Sequence, residues 1–458
     1  MPVKFDAIII GSGQSGPALA ERFSKAGQKF AIVERKNFGG TCVNDGCVPT
    51  KTYVASAYVA HMARRAAEYG VDIGQGVKVD MAQVKARKDA IVAKSRNGVA
   101  NWLESLENGT VYRGHARFVD LKTLSVNDQT LTAEKIIINT GGRASIPPIP
   151  GLEKVPYLTN STLLDIDFIP KHLIIIGGSY IGLEFAQTFR RFGSRVTVVE
   201  MSDRLISRED SDISDAIREI LEIEGIDIHL NAKCLSVEKS HDGVLVKLDC
   251  EGVSQVVGTH LLLAVGRKPN TDDLGLDKAG IIADARGFIT VDDQCRTNVD
   301  GIWAMGDVNG RGAFTHTSYN DYEIVAANMF DNDPRKISDR IPCYGLFIDP
   351  PLGRAGMTEK EVKAKGIKAL VAKRLMTSIG RARERGETLG FMKVVVDAQT
   401  KKILGAAILG INGDEVVHTF LDVMSIGAPY TAISRTMHIH PTVAEYLPTL
   451  LEDLKPLT

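Results

Sequence analysis

Apolar positions along the chain cluster into short runs that recur with turn residues between them. Ala7–Ile10 reads as a buried strand, stopped at once by Gly11-Ser12-Gly13-Gln14-Ser15-Gly16 and followed by a helical pattern through Ala26. Phe30–Val33 is the next apolar run and ends in Glu34. The same pattern returns further on: Leu173–Ile176, then Gly177-Gly178-Ser179-Tyr180-Ile181-Gly182, a helix to Arg191, and Arg195–Val199 closed by Glu200. Each acid stands 23 residues after the first glycine of its turn. Between the two copies lie a helix-rich stretch, Tyr53–Leu106, short strands with Asn/Asp/Gly turns, and an apolar run Lys135–Asn139 that meets Thr140-Gly141-Gly142. Pro147-Pro148-Ile149-Pro150-Gly151 marks a crossover, and Leu261–Val265 followed by Gly266-Arg267-Lys268-Pro269 closes the second unit. After about residue 340 the pattern changes: Gly390–Val396, Ile403–Gly410 and a helical Asp414–Met424 predict an antiparallel sheet with helices.

A strand, glycine turn, helix, strand and acid in that order form a dinucleotide site. The glycines let backbone approach a pyrophosphate at the positive helix N-terminus, and the acid accepts ribose hydroxyls. Two copies imply two nucleotides, the minimum apparatus for passing electrons between cofactors. Ser179 replaces the middle glycine of the second copy, while Gly182 is retained. A carboxylate at Glu200 favours NADH over NADPH, a preference that Arg204 four residues on would blunt.

Composition narrows the class without adding to it. The 458 residues are enough for two to four domains. The 55 basic and 56 acidic residues are interspersed and nearly cancel, so neither nucleic acid nor an anionic membrane is the expected partner. No apolar run approaches the roughly 20 residues a membrane span requires. The first residues have no charged segment leading into an apolar one, and six cysteines are too few for a secreted disulfide scaffold; a cytoplasmic protein is expected.

Two of those cysteines carry the chemistry. Cys42 and Cys47 stand five apart in Gly39-Gly40-Thr41-Cys42-Val43-Asn44-Asp45-Gly46-Cys47-Val48-Pro49-Thr50-Lys51. In a regular helix that spacing puts them about 8–9 Å apart, whereas a disulfide needs roughly 4.4–6.8 Å between Cα atoms. Pairing therefore requires a bent backbone, which Gly46 makes cheap. A bond closing so short a loop contributes only about 2 kcal/mol to stability, so redox work suits it better than bracing. Cys234, Cys250, Cys295 and Cys343 are scattered and read as ordinary packing. Ile302-Trp303-Ala304-Met305-Gly306-Asp307 is a strand with an acid at its end, suited to a turn or to a ribityl hydroxyl or phosphate. His440-Pro441 predicts an extended histidine, a helix beginning at Pro441 and Glu445 on its first turns. Such a pair is either a packed histidine or a proton donor and acceptor near neutral pH.

Taken together, the cysteine segment, Met305-Gly306-Asp307 and His440-Pro441-Thr442 with Glu445 resemble the flavoprotein disulfide reductases, over essentially the whole chain. The resemblance implies an α/β protein with two Rossmann-like dinucleotide domains and a C-terminal dimerisation domain. The divisions expected are 1–147 and 271–338 for FAD, 148–270 for NAD(P)H, and 339–458 for the interface. It implies FAD held by Gly11, Gly13, Gly16, Glu34, Thr41, Lys51, Thr140, Gly141, Asp307 and Thr315. NADH, with NADPH as the alternative, falls to Gly177, Ser179, Tyr180, Gly182, Glu200 and Gly266. Tyr180 matches the ring that gates the nicotinamide pocket, and Lys51 and Glu184 match an ion pair beside the flavin. Cys47 matches the thiol that stays against the flavin as a charge-transfer donor and Cys42 the exposed thiol that exchanges with substrate; a nearby cation and a helix N-terminus would hold such a thiolate below its free pKa. His440, oriented by Glu445 and contributed by the other subunit of a homodimer, protonates the leaving thiolate. The expected activity passes electrons to a small disulfide, oxidant or metal ion. Dihydrolipoamide dehydrogenase and a flavin-bearing redox sensor are the alternatives. No cysteine follows Cys343, unlike mercuric reductases with their vicinal C-terminal pair. Yet Arg208-Glu209-Asp210, Pro350-Pro351-Leu352-Gly353-Arg354 and Arg381-Ala382-Arg383 look like the mercuric-reductase-like, reactive-chlorine-resistance branch.

Overall fold

The computed structural model describes residues 1–74 and 76–457. Strand β1 (Val3–Ile10) is apolar on both faces through Ile8, Ile9 and Ile10, which suits only a strand covered on both sides. It pairs in parallel with β2 (Phe30–Glu34), reached through helix α1 (Ser15–Lys25). Next come α2 (Gly40–Asn44), α3 (Cys47–Arg64) and α4 (Met81–Glu104). Asp80 caps α4, accepting from the Gln83 N–H at 3.1 Å. Strands β3 (Gly109–Arg113), β4 (Ala116–Asp120), β5 (Thr123–Val126) and β6 (Gln129–Ile138) complete the sheet order β3-β2-β1-β6-β5-β4. β6 is longer than the predicted 135–139 run because its first half pairs with β5, while its last three residues pair with the returning strand Ile302–Ala304.

The chain leaves through β7 (Gly142–Ala144) and a short helix α5 (Asn160–Leu163). It then builds a second parallel sheet from β8 (His172–Ile176), β9 (Arg195–Val199), β10 (Asp227–His229) and a strand at His260–Leu263. Helices α6 (Tyr180–Phe192) and α7 (Ser211–Ile223) belong to this unit. A three-stranded antiparallel sheet over residues 233–258 packs beside it. The chain returns along Arg267–Pro269, antiparallel to β7, and Ile302–Ala304 then rejoins the first sheet, followed by α8 (Thr315–Ala326).

Residues 343–456 form a six-stranded antiparallel sheet, as the alternating runs predict. Two expectations here need correction. The helix foreseen over 414–424 is two short helices, Gly413–Val416 and His418–Ser425. Pro441 does not begin a helix: the His440–Pro441 peptide is cis, the helical turn starts at Ala444, and the proline near the start of the following α-helix is Pro448.

Candidate active site

Both glycine turns have the predicted geometry. Gly11 (φ +104°) and Gly177 (φ +115°) take backbone angles that L side chains rarely adopt. A Cβ on either would lie 2.3 Å from the Asn139 carbonyl oxygen or 2.4 Å from that of Ala264. The helices that follow, α1 and α6, have no side-chain cap, so their first N–H groups remain available to an anion. Glu34 accepts from the Ser12 N–H (3.0 Å) and hydroxyl (2.7 Å), and Glu200 from the N–H groups of Gly178 (2.6 Å) and Ser202 (2.7 Å). Arg204 is turned aside, its guanidinium paired with Asp203 at 2.8 Å rather than with Glu200.

The first turn carries supports that motif spacing does not reveal. Asn139 Nδ2 donates to the carbonyls of Gly11 (3.1 Å) and Gly13 (3.3 Å), and Asn139 Oδ1 accepts from Ser15 at 3.0 Å. The neighbouring Thr140 hydroxyl is buried with no protein partner, as a donor kept for a bound group would be. Gly141 turns the chain with φ +62° into β7. Gly266 (φ +112°) sets up Arg267. The Arg267 guanidinium reaches Asp307 (3.2 Å), Thr41 (3.3 Å) and the Gly142 carbonyl. Arg267 thus joins Thr41 and Asp307, which lie 266 residues apart in the chain.

The cysteine segment is where local sequence matters most. α2 ends at Asn44, and Asn160 of α5 donates to the Asp45 carbonyl at 2.8 Å, holding the chain where it breaks. Gly46 lies so close to Thr41 that a Cβ would stand 3.0 Å from its carbonyl oxygen. α3 then starts anew at Cys47. This break brings the two sulfurs, which a continuous helix would hold apart, into hydrogen-bond contact as thiols. The Cys47 sulfur also lies 3.0 Å from the Thr315 hydroxyl at the first turn of α8. The hydrogen bond from Cys42 pulls the Cys47 thiol down to about 6, helped by Thr315 and the positive charge of Lys51 and opposed by burial. Donating that bond pushes the Cys42 thiol up, and burial adds to it. The favoured thiolate is therefore at Cys47, the first residue of α3 and the thiol that the resemblance sets against the flavin. The physical reason is that Cys47 holds the helix N-terminus, the threonine and the lysine, leaving Cys42 to donate.

Lys51, one turn along α3, pairs with Glu184 of α6 at 2.6 Å and lies 4.4 Å from the centre of the Phe347 ring. Glu184 is 6% exposed, and its second oxygen accepts from the Phe347 N–H at 3.1 Å. This pair ties the cysteine helix to the second nucleotide unit. Tyr180 stands one turn before Glu184, wedged edge-on against Phe314 (5.6 Å between ring centres) and Tyr344 (5.4 Å). His440 points its Nδ1 at both oxygens of Glu445 (3.1 and 2.9 Å) while the side chain stays 80% exposed. The remaining cysteines are unpaired; Cys295 is buried in the first core, and Cys234 and Cys250 pack at the edge of the second unit.

Two dinucleotide turns joined to a dithiol segment through a half-buried lysine paired with a buried glutamate define a nucleotide-dependent disulfide oxidoreductase. The chain belongs to the pyridine nucleotide-disulphide oxidoreductase family, whose signature matches residues 5–321, with the family's dimerisation domain at residues 343–451. It is 38% identical to a probable pyridine nucleotide-disulfide oxidoreductase, RclA, of Escherichia coli (strain K12), over 99% of this chain and 100% of that one. It is 34% identical to a mercuric reductase of Lysinibacillus sphaericus (97% of this chain, 81% of that protein). A dihydrolipoyl dehydrogenase of Geobacillus stearothermophilus is 33% identical (97% and 94%). Among solved structures, the HOCl-induced flavoprotein disulfide reductase RclA of Escherichia coli superposes with a TM-score of 0.90 at 37% identity, covering 98% of this chain and 99% of that one. Among the described residues no helix is long and apolar enough to cross a membrane.

Proposed function

We propose that the chain is an NADH-dependent flavin disulfide reductase that works as a homodimer and hands an electron pair from Cys42 and Cys47 to a small disulfide, oxidant or metal ion. The observation that carries this reading is the position of Cys47: first residue of a helix, hydrogen-bonded to the Cys42 thiol and to Thr315, and one turn from the Lys51–Glu184 pair.

FAD fits the first turn through Gly11, Gly13, Gly16 and Glu34, with Thr41, Lys51, Thr140, Gly141, Asp307 and Thr315 around it; the unpartnered Thr140 hydroxyl and uncapped α1 support that fit. When bound there it would relay an electron pair from the nicotinamide to the cysteines. Gly177, Ser179, Tyr180, Gly182, Glu200 and Gly266 hold the nicotinamide dinucleotide, and the diversion of Arg204 to Asp203 supports NADH over NADPH.

The cysteines balance the arithmetic of a hydride. Two electrons and one proton convert the Cys42–Cys47 disulfide into a thiolate at Cys47 and a thiol at Cys42, with no further proton needed. Cys42 must then lose its proton to attack, and its donated hydrogen bond makes that loss unfavourable without a base. His440 of the second copy, its ring held by Glu445, takes that proton and returns it to the leaving thiolate. With a disulfide acceptor, Cys42 bonds to one substrate sulfur and expels the other; Cys47 then attacks the Cys42 sulfur, expelling the remaining substrate thiolate as the Cys42–Cys47 disulfide closes again.

The test is anaerobic titration of the flavin-loaded protein with NADH and, separately, NADPH. NADH yields a long-wavelength band from the Cys47 thiolate against the flavin, and Cys47→Ser abolishes it. Persistence of the band in that variant would refute the role of Cys47. Dihydrolipoamide dehydrogenase is the second reading, favoured by the 33% identity to such an enzyme over 97% of the chain. Turnover of dihydrolipoamide with NAD+ within about tenfold of ordinary enzyme rates would select it. One relative was solved as a Cu(II) complex, so Cu(II) belongs among the acceptors tried.

A further inference from the structure

Two segments singled out in the sequence, Arg208-Glu209-Asp210 and Pro350-Pro351-Leu352-Gly353-Arg354, have no part in the mechanism above, yet the fold brings them together beside Tyr180. Tyr344 and Arg354 are direct cross-strand partners in the C-terminal sheet, so both side chains leave the same face. Both reach the carboxylate of Glu209 from the second nucleotide unit: the Tyr344 hydroxyl donates to it, and the Arg354 guanidinium grips both oxygens, one at 3.1 Å. Glu209 is 0% and Arg354 2% exposed, so this bond is shielded from water. The Tyr344 ring meets Tyr180 edge-on at 80° and lies nearly parallel to Phe314, 5.7 Å between centres at 13°. Phe314 in turn precedes Thr315, whose hydroxyl touches Cys47.

Tyr180 occupies a decisive place. It is the first residue of α6 after the Gly177–Ser179 turn, and Glu184, one turn later, holds Lys51 beside Cys47. Tyr180 thus lies along the chain between the turn that would take a pyrophosphate and the ion pair beside the cysteines, its ring against Phe314 and Tyr344.

We propose that Tyr344 is a positioning residue that holds Tyr180 across the nicotinamide passage, and that Glu209, clamped by Arg354, fixes Tyr344 for that task. The inference rests on the reading of the second unit as the nicotinamide site. Tyr180 must leave its two aromatic neighbours for the ring to enter, so their contact lowers the fraction of protein ready to bind. Weakening it raises that fraction.

The experiment is rapid-mixing anaerobic reduction of the flavin-loaded protein across a range of NADH concentrations, which separates apparent Kd from limiting rate. Tyr344→Leu is expected to lower the apparent Kd about three- to tenfold with the limiting rate within about twofold. In a Tyr180→Ala background the same substitution should change nothing, because the residue it acts through is gone. Tyr344→Phe, which keeps the ring and removes the hydroxyl that bonds Glu209, carries the same cycle if Tyr344→Leu does not retain flavin. An unchanged Kd, or an equal effect with and without Tyr180, overturns the proposal. Wild-type protein that neither NADH nor NADPH reduces would instead remove the functional reading beneath it.

Discussion

Cys47 shows how far single residues steer the chemistry. Its thiol lies near 6 and its partner's is pushed up, so the reduced couple carries one charge and one proton at neutral pH. A depressed acid is charged above its pKa, so the thiolate band of the NADH-reduced protein should persist at pH 7 and fade as pH falls through about 6. Thr315→Val removes one donor to that thiolate and should move the midpoint upward; spectrophotometric titration checks both. Glu200 makes a second prediction at this scale. With Arg204 bound to Asp203, only the carboxylate opposes a 2′-phosphate, so Glu200→Ala should shift the ratio of kcat/KM for NADH over NADPH by at least about tenfold toward NADPH. Paired steady-state assays measure it.

Secondary-structure elements decide which of these residues meet. The start of α7 carries Asp210 and Asp212, which with Glu359 of the following domain could be mistaken for a cation site. Lys393, 2% exposed on the C-terminal sheet, fills it instead, 2.7–3.0 Å from all three carboxylates. With Arg354 and Glu209 this forms a buried ionic seam between the second nucleotide unit and the sheet. Removing one partner leaves a charge in the dry interior, so Glu209→Ala should cost about 3 kcal/mol or more of stability. Glu209→Leu combined with Arg354→Met should recover much of that loss, as denaturant unfolding monitored by flavin release would show. The sequence could not announce this seam. Glu209, Asp210 and Asp212 follow a loop in one unit while Arg354, Glu359 and Lys393 stand on separate elements of another, and no local period connects them.

For the whole molecule, the telling residue is His440. Its ring is held by Glu445 but stands in solvent, near Met437 (95% exposed) and Ile439 (80%), as the proposed service to a second copy requires. Mixing and refolding Cys42→Ser chains with His440→Gln chains should restore activity neither shows alone. Random pairing predicts about a quarter of the wild-type rate, since half the dimers then hold one intact site of two. No recovery in an assay of the refolded mixture would place the histidine's role within one chain.

What the sequence determined by itself was local. Glycine turns followed by helices, apolar runs ending in acids and the two cysteines around Gly46 are set by neighbours in the chain, where sterics and backbone hydrogen bonding act over a few residues. The family followed from those segments and their order. The tertiary structure alone decided that Arg267 joins Thr41 to Asp307, that Asn139 underpins the first turn, and that Pro441 starts no helix. It also added the Thr315 hydroxyl, from 268 positions away, as a further partner of Cys47 beside the Cys42 thiol. Such contacts arise from how separate sheets and helices pack. Their energies depend on burial and distance, which no spacing along the chain records.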